Sequence, residues 1–203
     1  DVASRADLKS DLLKELERHK AQLQSYRGNP HISEAALDEV VGRIDHAFNG
    51  LNALQGKAGH ALTTNDWLMS IRSRINIPGG TCEFDLPAYY AWQQRDAASR
   101  RADLNGWVAT LLPLAEALQV LLGLLRESGA PQRVHAAGGQ FQQRLPEGKL
   151  YHLLRLKIDG GDGVVPEISG HRLLVSVRLM RPDAEGRLKS TSSDASFELT
   201  LCS

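Results

Sequence analysis

Along the first 128 residues, apolar positions recur with a helical period and turn signals separate the runs. Leu8, Leu12, Leu16 and Leu23 fall near one stripe, with Leu13 beside it, and predict a helix from Ala6 to Tyr26. Ser4 can cap that helix, and Gly28-Asn29-Pro30 ends it. Leu37, Val40, Val41, Ile44, Phe48, Leu51 and Leu54 predict a second helix, opened by Ser33 and closed at Gln55 before Gly56. A third begins at Thr63–Asp66, where Thr64 or Asn65 can cap, and carries Trp67, Leu68 and Ile71 to Ile75. Ile77-Pro-Gly-Gly80 stops it. Pro87 suits the first turn of a short helix bearing Tyr89, Tyr90 and Trp92. A longer helix is expected from near Asp103, carrying Trp107 and Val108, running through or kinking at Pro113 and ending near Ser128-Gly129.

Beyond Gly129 the period falls to two. Arg133–Ala136 and Gln140–Leu145 flank Ala137-Gly-Gly139, a hairpin signal. Tyr151–Ile158 reads as a strand and Asp159-Gly-Gly-Asp-Gly163 as a turn. Arg172–Met180 is the clearest strand, and Ser196–Leu201 is the last. The connections are short enough for a four- or five-stranded antiparallel sheet. The predicted fold class is α+β, with an N-terminal helical domain over 1–128 and a mainly antiparallel β-domain over 129–203.

The two best strands alternate in a telling way. Leu154, Leu156 and Ile158 share one face, with Tyr151, Leu153, Arg155 and Lys157 on the other. Leu173, Val175, Val177 and Leu179 likewise oppose Arg172, Leu174, Ser176, Arg178 and Met180. Paired antiparallel with apolar faces inward, the strands would present Arg155, Lys157, Arg172 and Arg178 among Leu153, Leu174 and Met180. That mixture suits a peptide with acidic and hydrophobic residues. An ordinary solvated sheet face with basic edge-blunting residues fits the same pattern.

Composition narrows the classes. The 203 residues hold 24 Lys and Arg against 24 Asp and Glu, so the chain as a whole is not a basic nucleic-acid binder. The balance is uneven along the chain. From Gly129 onward there are ten Lys and Arg against eight Asp and Glu, leaving the sheet half near +2 and the helical half near −2. That is too little for nucleic-acid binding by counterion release. Cys82 and Cys202 are far apart and form no CxxC pair, which fits a reducing, cytoplasmic setting. The sequence opens at Asp1 without an initiator Met or a signal-peptide pattern, so Asp1 is expected to be a truncated or processed end. The apolar run Leu111–Leu125 is shorter than a membrane span and is broken by Pro113, Glu116 and Gln119, so it reads as a buried helix.

Catalytic signatures are sparse. GxSxG, HExxH, Walker and dinucleotide-binding glycine patterns are absent. Asp159 and Asp162 offer a hard cation two carboxylates without the distal Glu of an EF-hand. His135, His152 and His171 lie singly in the strand region, and Cys82 has no His–Asp partner near it in sequence. A metal-dependent or Cys/His enzyme and an anion- or RNA-binding sheet stay open as alternatives on these residues. No metal site or cofactor is expected.

Ile77-Pro-Gly-Gly-Thr-Cys-Glu-Phe-Asp-Leu-Pro87 followed by Trp92, and Pro166-Glu-Ile-Ser-Gly-His171 followed by Arg178, resemble the ZapD family of Z-ring-associated bacterial cell-division proteins. Leu12-Leu-Lys-Glu-Leu-Glu17, Trp107 with Leu112-Pro113-Leu114, and Phe197-Glu-Leu199 with Cys202 match in order and spacing. The resemblance implies a cytoplasmic homodimer acting at midcell, with the helical domain dimerising and the β-domain binding the C-terminal tail of FtsZ. It implies no catalysis, no nucleic-acid partner and no membrane partner. Bridging of FtsZ filaments would follow from two tail sites per dimer. Arg178 stands at one of the family's basic tail-contact positions. Leu174 stands where well-known members carry a second basic residue, and Arg172 is expected to supply that charge nearby. Tyr90 replaces a His seen in some members. Arg155 and Lys157 complete the expected contact set. Family members also begin with a further strand and helix, expected to be missing here.

Overall fold

The computed structural model describes residues 7–160 and 163–203. Ser4 and Ala6, expected at the start of the first helix, and Gly161 and Asp162 of the expected turn lie outside the described residues. The chain divides into two compact units, one ending at Leu121 and the other beginning at Leu122, so the division falls inside a helix.

In the first unit, α1 (Leu8–Gln24) and α2 (Glu34–Ala53) form an antiparallel hairpin. Leu12 and Leu16 of α1, and Leu37, Val41, Ile44, Ala47 and Leu51 of α2, are buried. Each of the Leu, Val and Ile side chains contributes about 1.5–3 kcal/mol on full burial. The antiparallel register is marked by Lys9 Nζ donating to the Leu54 carbonyl (2.7 Å), Lys20 meeting Asp45 (2.6 Å) and Arg27 meeting Asp38 (2.6 Å). Ser33 caps α2 as expected, its hydroxyl accepting from the Ala36 amide at 3.3 Å. After a short α3 (His60–Thr63), Asn65 caps α4 (Asp66–Arg74), and Pro87 opens α5 (Pro87–Gln93). Trp67 stacks on Trp107 with centroids 5.0 Å apart and meets Trp92 at 5.3 Å, tying α4 and α5 to the helix that follows.

One expected long helix is two. α6 (Ala97–Ala109) starts at Asp96, whose carboxylate accepts from the Ser99 amide (2.9 Å), rather than near Asp103. α7 (Leu112–Glu127) follows after a 57° bend. Pro113 therefore sits in a first turn, where its missing N–H costs nothing. Leu114, Ala117 and Leu121 of α7 are buried, while Leu112, Leu118 and Leu122 are exposed. Among the described residues, no single helix is long and apolar enough to cross a membrane.

Among the described residues, the second unit has seven strands in two sheets rather than one sheet of four or five. β1 (Gln132–Ala136), β7 (Ala195–Cys202) and β3 (Leu153–Lys157) make one, in the order β1-β7-β3. β2 (Gln140–Arg144), β5 (Leu174–Pro182) and β4 (Val165–His171) make the other, in the order β2-β5-β4, with β6 (Leu188–Ser190) also on β5. All pairings are antiparallel. Their inner faces share one core of Ala136, Val175, Val177, Leu179, Phe197 and Leu199, joined by Phe141 edge-on to Phe197 at 5.6 Å.

β4 lies in a segment for which the sequence pattern predicts no strand. Its pattern is interrupted by Pro166, Ser169 and Gly170, which is tolerable because it forms the free edge of its sheet. The Leu179 amide donates to Gly139 (2.8 Å) and its carbonyl accepts from Thr191 (3.0 Å), so odd-numbered β5 residues bond toward β2 and β6. Even-numbered ones then bond to β4 through Val165, Glu167, Ser169 and His171, leaving Pro166, whose N–H is missing, on the open edge.

Candidate functional site

The outer face of the β2-β5-β4 sheet follows from its register. Leu174, Ser176, Arg178 and Met180 run along β5, opposite the buried Val175, Val177 and Leu179. Glu167 on β4 and Gln140 on β2 flank Arg178, while His171 and Arg144 flank Leu174. Arg178 and Glu167 form an ion pair at 3.2 Å, each about half exposed. Exposed Val165 lies across from Met180. The face thus sets one cation with a displaceable carboxylate between two half-buried apolar side chains.

Arg172 lies elsewhere than expected. With Leu173 it forms the two-residue turn between β4 and β5, because pairing begins at His171 and Leu174. Arg172-Leu173 continue the strand's polar–apolar alternation and carry no Gly, Pro or Asn, so no local signal marks the turn. Arg172 is exposed and makes no ion pair with another described residue.

The expected single cationic surface is split. Tyr151–Ile158 was to pair with Arg172–Met180, but β3 pairs with β7 and β5 pairs with β2 and β4. Arg155 and Lys157 therefore occupy the outer face of the other sheet, across the shared core from Arg178. Period two assigns each residue to a face whatever strand lies alongside, so it could not reveal this partition. Arg155 donates to the Arg126 carbonyl (2.8 Å), closing the last turn of α7, and Lys157 stands 3.8 Å from Glu198. Tyr90 is exposed on α5, in the first unit.

Two residues of this face escaped the sequence reading. Glu167 sits in a segment not expected to be a strand, and Arg144 lies on a strand whose outer face was not traced. The signal was present for Arg144: Phe141, Gln143 and Leu145 alternate with Gln140, Gln142 and Arg144. Arg144 is exposed and makes no ion pair with another described residue.

The histidines do not gather. His135 on β1 stands 3.5 Å from Asp194, His152 precedes β3, and His171 ends β4. Among the described residues, no three His, Cys, Asp or Glu side chains come close enough to hold a metal ion. Cys82 and Cys202 are both free thiols.

Comparison with known proteins gives these features a family. Residues 1–178 match ZapD, described as a cell division protein. The chain is 48% identical over all 203 residues to the cell division protein ZapD of Ralstonia pickettii (strain 12J) and 47% to that of Janthinobacterium sp. (strain Marseille), covering 80% of each. The ZapD of Ralstonia nicotianae is 48% identical over the same span, again with 80% of its length covered. The chain belongs to the ZapD family of cell division proteins.

Proposed function

We propose that this chain binds the C-terminal tail of FtsZ, the tubulin-like division GTPase, and cross-links FtsZ filaments into bundles that promote Z-ring assembly. The observation that carries this reading is the outer face of the β2-β5-β4 sheet, where Arg178 lies between Leu174 and Met180 and, among the described residues, pairs only with the exposed Glu167. An exposed ion pair of this kind contributes about 0–1 kcal/mol, so an incoming carboxylate can replace Glu167 at little cost. Apolar side chains of the tail would cover Leu174, Met180 and Val165, and Arg172 in the adjoining turn would attract acidic ones. Tyr90, exposed on α5, is a further proposed partner-binding residue.

The helical part, 1–128, serves dimerisation and the β part, 129–203, carries the tail site. Exposed Leu118 and Leu122 on α7, and Leu104 and Val108 on α6, offer apolar area for self-association. A homodimer presents two tail sites, and on a filament of repeated tails two weak contacts act as one strong one. The protein acts in the cytoplasm at midcell, without catalysis, cofactor or metal, and without a nucleic-acid or membrane partner.

Co-sedimentation with FtsZ filaments tests the reading. The protein is expected to pellet with full-length FtsZ and to stay in the supernatant with FtsZ lacking its tail. Equal pelleting with both would refute tail binding.

A further inference from the structure

At the Leu174 end of the proposed tail-binding face, the two sheets part and leave a cleft of about 360 Å³. Gln132 and Gln143 line it from strands β1 and β2, at positions whose side-chain parity otherwise faces the core, with Leu199 and Leu201 beside them. Arg144, Lys149 and Tyr151 enclose it from β2 and the connection to β3, and Lys149 Nζ lies 5.1 Å above the Tyr151 ring. None of the lining residues is acidic. Elsewhere in this unit Arg133, Arg155, Arg172 and Arg181 make no ion pair with a described residue, and none of these four shares an acid-free cleft with a second unpaired cation. Arg178, Lys157, Arg187 and Lys189 each stand within 4 Å of a carboxylate. Arg144 and Lys149 have no such partner among the described residues, and the half-buried Gln143 amide makes no side-chain hydrogen bond there.

Two cations and two amides around one acid-free cleft leave donors and positive charge in excess. Such a site is completed by a carboxylate, which accepts from a guanidinium in two parallel bonds and gains more where water is partly excluded. Arg144 also lies directly across from Leu174, so the cleft continues the outer face of β2-β5-β4. We propose that this cleft is an anchoring subsite for one carboxylate of an acidic peptide whose apolar residues lie along Leu174 and Met180. Arg144 is the principal ligand and Lys149 the secondary one. The proposal rests on the tail-binding reading and adds a specificity element to it: the position of one acidic group along the peptide decides affinity.

The test is a fluorescence-anisotropy titration of the full chain with labelled FtsZ tail peptide at about 0.15 M salt. The peptide series neutralises each Asp, each Glu and the terminal carboxylate in turn as the amide. With the wild-type chain, one neutralisation is expected to weaken binding about tenfold or more, and the others far less. Arg144→Gln should weaken binding of the parent peptide by a similar factor and make that same neutralisation silent. Lys149→Met should do so to a smaller extent. Circular dichroism should show both variants folded, since neither residue is buried. Wild-type affinity in both variants would overturn the subsite while leaving tail binding intact. Uniform weakening across all peptides would overturn it too, as would equal competition by inorganic phosphate or RNA. Failure of the wild-type chain to bind any peptide would overturn the tail reading and the subsite with it.

Discussion

The turn between β1 and β2 is where a single methyl group should cost most. Gly138 and Gly139 have φ of +57° and +72°, the pairing of a two-residue hairpin with both central residues left-handed. They differ in surroundings. A Cβ built on Gly138 meets nothing within 4 Å, whereas one on Gly139 falls 2.0 Å from the Thr191 carbonyl oxygen. Thr191 is held there because its amide donates to Leu179 (3.0 Å), while Leu179 donates to Gly139 (2.8 Å). Gly138→Ala should cost only the left-handed strain of about 1–2 kcal/mol, less about 0.4–1 kcal/mol of unfolded-chain entropy. Gly139→Ala pays the same strain and must also push Thr191 away by more than 1 Å, an approximate figure that forfeits two backbone hydrogen bonds of about 0.5–1.5 kcal/mol each. The expected loss is about 1–5 kcal/mol, against about 0–1.6 kcal/mol for Gly138→Ala and the 5–15 kcal/mol typical of a domain.

Urea unfolding followed by two probes separates the units. All three tryptophans lie in the first unit, so their fluorescence is an internal control, while hydrogen–deuterium exchange at the β1–β7 amides across the urea series follows the strands. At about 1–2 kcal/mol per molar urea, Gly139→Ala should lower the strand midpoint by about 2 M or unfold the sheets outright, leaving the tryptophan transition in place. Gly138→Ala should move it by less than about 1 M. Equal small shifts for the two variants would refute the argument that the Thr191 carbonyl, rather than backbone conformation, makes glycine necessary at 139.

Other expectations follow from the same structure. Glu167→Gln should raise affinity for the FtsZ tail severalfold in anisotropy titrations, because it frees Arg178. Arg178→Glu should abolish tail-dependent pelleting while costing less than about 1 kcal/mol of stability. Asp103→Ala removes the acceptor shared by Trp92 Nε1 (2.8 Å) and Arg95 (2.6 Å), and should lower the tryptophan-reported stability by about 1–3 kcal/mol. The Ser99 hydroxyl and amide hold the Asp96 carboxyl below its ordinary range. The resulting stabilisation of α6 is therefore present above the unfolded carboxylate pKa and lost as pH falls through the lower folded value. Asp96→Asn should flatten that acid limb in a circular-dichroism titration. Leu118→Glu with Leu122→Glu should turn the proposed dimer into a monomer by light scattering, with helix content retained.

Helix existence, caps and inward faces were legible because they are local. Ser33, Asn65 and Pro87 mark helix starts through backbone chemistry within three residues, and Val175, Val177 and Leu179 face the core because successive side chains alternate. The start of α6 was misplaced because Asp96 and Asp103 are both plausible caps, and only packing assigns Asp103 to Trp92 and Arg95. β4 was missed because an edge strand tolerates the Pro and Gly that disqualify a central one.

The sequence by itself determined the α+β class, the membership in a cell-division family and the sides of β3 and β5 that meet the core. It also determined that Arg178 points outward between Leu174 and Met180. Only the tertiary structure decided which strands lie side by side, since a pleated strand alternates identically against any neighbour. That choice sent Arg155 and Lys157 to the opposite sheet, set Glu167 against Arg178 and brought Arg144 beside Leu174. Charge along a chain counts residues, whereas a binding face depends on which backbone amides found each other.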